Sequence, residues 1–362
     1  MAVHEIRIDR AATLAEEPAK GHNRWHPDIP PVLRCQPGDE VVMETRDAFD
    51  GQMGPHATLK SVEAPDLGVV HPLTGPVYVE GARPGDLLEI EILEVVPDTY
   101  GYTVQVPGFG FLRDAFPEPF MVRWRLDDGF ATSRDLPGVR IPAAPFMGTI
   151  GLSPGHQSMA RITAREQASL ERGGFVLPPS ADGAVPRDPG IAVHGLRTVP
   201  PREQAGNVDI KQLTAGTKLI VPVDTPGALF SAGDAHYAQG DGEACGTAIE
   251  MSATLRVRFA VLENEAGITG PRFVVPRRAE PERSYYATTG MSVSRDGEVS
   301  AEDLTLAARN ALLSMIDHLG ERGWTRQQAY ALCSVAVDLK VSQLVDVPNL
   351  LVSAFLPLDI FD

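Results

Sequence analysis

Cysteine is almost absent from this chain: Cys35, Cys245 and Cys333 are odd in number, far apart and outside any CxxC pairing. That excludes a disulfide framework and a thiolate zinc site. Long apolar runs are missing too, since no stretch reaches the ~18 to 20 apolar residues of a membrane span. The first 28 residues interleave Glu5, Arg7, Asp9 and Arg10 with apolar side chains and build no signal-peptide core. The expected compartment is therefore the cytoplasm. Basic residues are the minority, with 32 Lys and Arg against 48 Asp and Glu and a formal charge of -16. An acidic surface repels nucleic acid and anionic lipid, so no nucleic acid and no membrane are expected as partners, and a small neutral or cationic substrate fits better. No βαβ alternation is visible either.

What the 362 residues have in quantity is glycine (34) and proline (31), which punctuate short runs of period-two alternation. Gln36-Pro-Gly-Asp39 feeds the alternating run Glu40 to Thr45, and Arg83-Pro-Gly-Asp86 feeds Leu87 to Leu93, a weak internal repeat. Ala215 to Val223 and Thr254 to Leu262 extend the pattern. The expected fold is mainly β, a jelly-roll-like sandwich or barrel with a smaller C-terminal α+β part. Helices are expected to be few before that part. There, Ser300 and Asp303 make a capping-box-like start, and Leu304, Ala308, Ala311, Leu312, Met315, Ile316 and Leu319 recur at helical spacing, predicting a helix over 301–321. Gly323 stops it, and Thr325 with Gln328 opens a second helix through Ala331. Two strands follow, Asp338 to Val345 and Leu350 to Leu356. The charged stretch Pro276 to Arg283 divides a β-rich catalytic part, 1–275, from the C-terminal part, 276–362, packing on it. Pro178 to Pro189 reads as a loop, either a lid or, with more weight, a surface insertion.

The densest chemistry lies in Gly233-Asp-Ala-His-Tyr-Ala-Gln-Gly-Asp-Gly-Glu243. Two residues apart on a strand, Asp234 and His236 share a face, and Gly240 and Gly242 let the chain return Asp241 and Glu243 towards them. Imidazole and carboxylate oxygens in that array suit zinc or another divalent ion, with room for the water a hydrolase activates. The structural alternative, an Asp-His hydrogen bond beside an acidic turn, weighs about the same, and no HExxH is present. Asp47 and Asp50 form a second acidic group, further ligands or a general base, that taken alone reads first as a cap and a turn. His71, before a proline, reads first as a hydrogen-bonded loop residue. Asn207 and Asp209, beside Gly206, orient an amide or close a turn.

Two nucleophiles are set aside. Gly151-Leu-Ser153-Pro-Gly155 matches GxSxG, yet the nucleophile elbow needs the backbone N–H after the serine, and Pro154 has none. Cys245, between Ala244 and Gly246, reads as a buried strand thiol.

Longer runs carry a resemblance. Trp25-His-Pro-Asp-Ile-Pro-Pro31, Glu44 to Gln52, His71 to Ala82, Pro145 to Gly151, Leu213 to Thr217, Pro226 to Ser231, Gly233 to His236, Gln239 to Thr247 and Ser334 to Asp346 together resemble the acetamidase/formamidase family over nearly the whole chain. His71 and Asp50 resemble its formamidase branch. The resemblance implies hydrolysis of short linear amides, a bound divalent metal and a homo-oligomer, and it transfers family residues onto Asp47, Asp234, His236, Asp241 and Glu243. Ala205-Gly206-Asn207 departs from the two glycines usual before that asparagine, and the chain is shorter than that branch tends to be.

On this footing, the expected reaction is hydrolysis of formamide to formate and ammonia. His236, Asp234 and Asp47 are the expected metal ligands, with zinc the first candidate and a second ion such as calcium beside it as a further option. Glu243 and Asp241 are expected to shuttle the proton to departing ammonia, and Asn207 to stabilise the oxyanion. Phe146, Met147 and Phe230, with His71, are expected to wall a small pocket, so that activity falls from formamide to acetamide to propionamide and aromatic amides are inert. The rivals are an acetamidase or small-lactam hydrolase of the same family, and a jelly-roll module that binds a small amide or a metal without turnover.

Overall fold

Strand Ala253–Leu262 buries Ala253, Leu255, Val257 and Phe259 and leaves the residues between them half-buried, the pattern of a strand with one face on a core. In the computed structural model, which describes residues 1–276, 283–294 and 296–361, it is the inner strand of a six-stranded sheet. The order there is Val3–Ile6, Glu40–Thr45, Ala253–Leu262, Leu87–Pro97, Lys218–Pro222, Arg272–Val274. Both strands that follow a Pro-Gly-Asp turn thus flank the same partner, Glu40–Thr45 and Leu87–Pro97 pairing antiparallel with Ala253–Leu262 on either side.

A second sheet of eleven strands lies across the core. Its inner strand Phe230–His236 is buried at all seven positions and pairs antiparallel with Phe146–Gly151, Leu73–Val79 and Glu250–Met251. Its polar side chains, Ser231, Asp234 and His236, are buried with it and must find their partners inside the protein. Side chains of the two sheets meet inside, with the Phe230 and Phe259 rings 5.0 Å apart, and each buried ring contributes roughly 1.5 to 3 kcal/mol. The fold is mainly β, as expected. Among the described residues no sheet closes into a barrel.

The C-terminal part is α+β. Helix Leu304–Glu321 starts later than expected because Asp303 is its cap, its carboxylate accepting from the Leu306 N–H at 2.9 Å; Glu302, at φ 59°, is outside helical geometry. The apolar stripe is the buried face, led by Ala311, Leu312, Met315, Ile316 and Leu319. The Thr325–Gln328 capping box forms, and the helix runs Arg326–Ala336, past Ala331, because every side chain from Ala329 to Val335 is buried and no polar face marks its end. Asp338–Gln343 and Leu351–Pro357 pair in a three-stranded sheet with Tyr285–Met291. Tyr330 stacks on Phe116 at 4.3 Å, joining these helices to the β core. The stretch dividing the two parts lies largely outside the described residues.

A sixteen-residue helix, His156–Glu171, was not legible. It buries only Met159 and Ile162, too thin a stripe to read against a polar background. The loop after it is pinned: the buried Arg24 guanidinium donates to the Ser180 and Asp182 carbonyls, and Asn23 exchanges hydrogen bonds with Gly183 and Val185. Among the described residues no helix is long and apolar enough to cross a membrane.

Candidate active site

Strand Phe230–His236 delivers Asp234 and His236, the short strand Glu250–Met251 delivers Glu250, and the turns after Asn207 and Gly242 deliver Asp209 and Glu243. Asp209, Asp234 and Glu243 all have left-handed φ, at 46°, 57° and 43°. Non-glycine residues there cost about 1 kcal/mol or more, strain that surrounding structure must hold. The three converge on His236. Its Nε2 is 3.2 Å from Glu250 Oε2, 3.3 Å from Asp234 Oδ1 and 3.9 Å from Glu243 Oε1, while Nδ1 meets Gln239 Oε1 at 2.9 Å and lies 3.9 Å from Asp209 Oδ1.

Four carboxylates around one buried imidazole set its electrostatics. Burial alone would lower the His236 pKa, but Glu250 and Asp234 outweigh it and hold it well above the ordinary value. Burial and the Asp234 charge push Glu250 up to about 8 and Asp209 up to about 7. Burial and Asp209 push Glu243 well above the carboxylate range. Asp234, despite burial, is held low by His71 and His236.

The cluster is under-satisfied as it stands. Asp209 Oδ1, Glu250 Oε2 and His71 Nδ1 are buried atoms without an aligned hydrogen bond, a state that costs about 1 to 3 kcal/mol per group in the absence of a partner. Gly148 keeps a space open among them: a Cβ there would lie 2.6 Å from Asp209 Oδ1 and His236 Cε1 and 2.8 Å from Asp234 Oδ2. Oxygen and imidazole donors, orphaned atoms and space fit a divalent cation on two overlapping ligand groups, Asp234–His236–Glu250 and Asp209–His236–Glu243.

These pKa values predict a pH dependence for metal-free protein. Asp209, Glu250 and Glu243 titrate higher folded than unfolded, so between about pH 4 and 8 the folded state binds more protons, and stability falls as pH rises through that window. His236 acts in the same direction and Asp234 in the opposite one below about pH 4. The expected result is that chelator-treated protein loses roughly 5 °C or more of Tm between pH 5 and 8, and that added divalent cation cancels most of the loss. A Tm unmoved by pH and by cation would contradict the cluster's electrostatics.

The expected residues divide. Asp234, His236 and Glu243 come together, and His71 and Asn207 line the same cavity. Asn207 accepts from Thr149 Oγ1 at 2.8 Å and donates to the Val199 carbonyl at 3.0 Å, so its amide is engaged in holding the wall. Asp47 does not join: its carboxylate accepts from the Tyr102 hydroxyl at 2.6 Å and from the Phe49 and Gly51 N–H groups, closing a turn. Asp241 turns away, 3.6 Å from Lys211 Nζ, and its N–H donates to Asp338. The wall assigned to Phe146 and Phe230 is corrected. Phe146 packs its ring on His236 at 5.1 Å from behind, and Phe230 lies in the inter-sheet core; neither lines the cavity. Cys245 is buried, its thiol pushed up to about 11 by burial. Ser153 is buried, with its hydroxyl on the Pro154 carbonyl, away from the cavity.

Sequence reasoning missed Glu250 altogether. The signal was a single charge in the run Ala244 to Ala253, otherwise uncharged. Asp209 was noticed only as a partner of Asn207.

The cavity above the cluster measures about 440 Å³. A larger groove of about 1000 Å³ runs beside helix His156–Glu171 and holds His26, Asp28 and His156, but two of these three are exposed. The smaller cavity holds the buried, strained and unsatisfied groups, the marks of chemistry.

The family model described as the Acetamidase/Formamidase family matches residues 7–362. The acetamidase of Mycolicibacterium smegmatis is 37% identical, covering 90% of this chain and 87% of its own. The formamidase of Methylophilus methylotrophus is 34% identical, covering 99% and 93%. Among solved structures, the gamma lactamase from Delftia acidovorans superposes with a TM-score of 0.94 at 35% identity, covering 99% and 93%. Fold and relatives together define an amide hydrolase of the class that acts on linear amides. The chain belongs to the acetamidase/formamidase family.

Proposed function

We propose that the protein hydrolyses a neutral linear carboxamide, formamide being the minimal case, to the carboxylate and ammonia, with a divalent cation, zinc first, held by His236, Asp234 and Glu250. The observation that carries this reading is the buried His236 imidazole ringed by Asp234, Glu250, Glu243 and Asp209 at the floor of a cavity. A cation bound there would act as a Lewis acid on the amide carbonyl and lower the pKa of water. The chain's own groups supply the rest. Glu243, whose Oε1 lies 3.9 Å from His236 Nε2 at the cavity wall, protonates the departing nitrogen, which leaves as ammonia because an amide anion is a poor leaving group. Asp209, which lines the same cavity, accepts a proton from the attacking water. His71, kept neutral by burial and by His236, faces the cavity as a hydrogen-bonding group for the substrate.

The test is ammonia release by the purified chain, supplied with zinc, from formamide and acetamide. Turnover of at least one is expected. A folded, zinc-bound protein that releases none would make this a binding module and end the reading. Hydrolysis of a cyclic amide is the second reading, favoured by the roughly 440 Å³ of space and by likeness to a gamma lactamase.

A further inference from the structure

We infer that the cavity is an acyl pocket for apolar amides of about five to seven carbons, open chain or ring, larger than formamide or acetamide. The inference rests on the amidase reading above. At about 30 Å³ of liquid per water, the cavity of about 440 Å³ holds on the order of a dozen waters, whereas formamide has only three heavy atoms. Above the carboxylates the cavity's walls are Phe49, Val106, Phe109, Val199 and Phe175, and the side chains Phe49 and Val106 continue into a buried apolar cluster that Phe109 and Val199 join.

Phe175 closes the belt. It stands 6.4 Å from Phe109, ring to ring, and 5.5 Å from the Arg113 guanidinium. It comes from the exposed segment just before Pro178, and the chain after it is held by hydrogen bonds from Arg24 to the Ser180 and Asp182 carbonyls and from Asn23 to Gly183. Water confined against such walls gains from displacement by hydrocarbon, and a formyl or acetyl group displaces little of it.

The experiment measures kcat/KM by ammonia release from zinc-supplied protein for formamide, acetamide, butyramide, hexanamide and benzamide. Each buried methylene is worth roughly three- to fourfold, so hexanamide is expected to exceed acetamide by at least about tenfold. Phe109→Ala and the more exposed Phe175→Ala are expected to lower kcat/KM for hexanamide about tenfold through KM, with acetamide changed less than about threefold. Falling kcat/KM beyond acetamide, with hexanamide and benzamide the poorest, overturns the inference while leaving the amidase reading standing. Equal losses on acetamide and hexanamide in both variants overturn it as well, because the rings would then be structural. No release from any amide by folded protein removes the amidase reading and the pocket with it.

Discussion

His236→Ala is expected to lower kcat/KM for the preferred amide by about 10⁴-fold or more and to abolish the divalent-cation binding proposed above. The imidazole is the one group common to both candidate ligand sets, and Glu250, Asp234 and Glu243 all approach its Nε2 within 3.9 Å. Removing it takes away a ligand in the cation-bound protein and, in the metal-free protein, the positive charge that offsets the crowded carboxylates. Elemental analysis and ammonia release read the two effects separately. Circular dichroism shows whether the loss is local, as expected for a side chain whose neighbours belong to the site. A variant that keeps its cation and activity within about tenfold of the parent would sink the proposed mechanism.

Gly148→Ala is expected to cost about 10²-fold or more in activity without removing any group that does chemistry. Its added methyl would sit 2.6 Å from both His236 Cε1 and Asp209 Oδ1 and 2.8 Å from Asp234 Oδ2, distances at which the neighbours must shift. Displacements near 1 Å in a catalytic array cost about that factor. Gly148 lies in the regular strand Phe146–Gly151 outside the left-handed region, so alanine adds no backbone strain and the loss reports the space alone. Weaker cation binding should accompany it. Activity within about threefold of the parent would show that the space beside His236 is not needed.

Where periodicity and caps speak for themselves, the sequence was legible. The strand runs after Pro-Gly-Asp, the Thr325–Gln328 capping box and the stripe from Ala311 to Leu319 each follow from local physics, and each is present. Where burial removes the pattern it was silent: the end of helix Arg326–Ala336 and the length of His156–Glu171 carried no readable signal. Within the site, Asp234 and His236 were legible because two residues on one strand share a face. Glu243 followed from the glycines that turn the chain back. Asp241 is two residues from Glu243, yet it pairs with Lys211 outside the cluster, since a turn decides which of its residues point inward.

What the sequence alone determined, then, is the β-rich class, the capped C-terminal helices, the acidic surface and one half of a ligand set, all properties of local spacing and composition. Only the tertiary structure decided that Glu250 completes the set, that Asp47 belongs to a turn under Tyr102, and that Phe230 fills the core while Phe49, Phe109 and Phe175 line the cavity. The physical reason is that a ligand set or a pocket wall is a property of distance in space. Glu250 reaches His236 through the antiparallel pairing of Glu250–Met251 with Phe230–His236, a register that no spacing along the chain encodes.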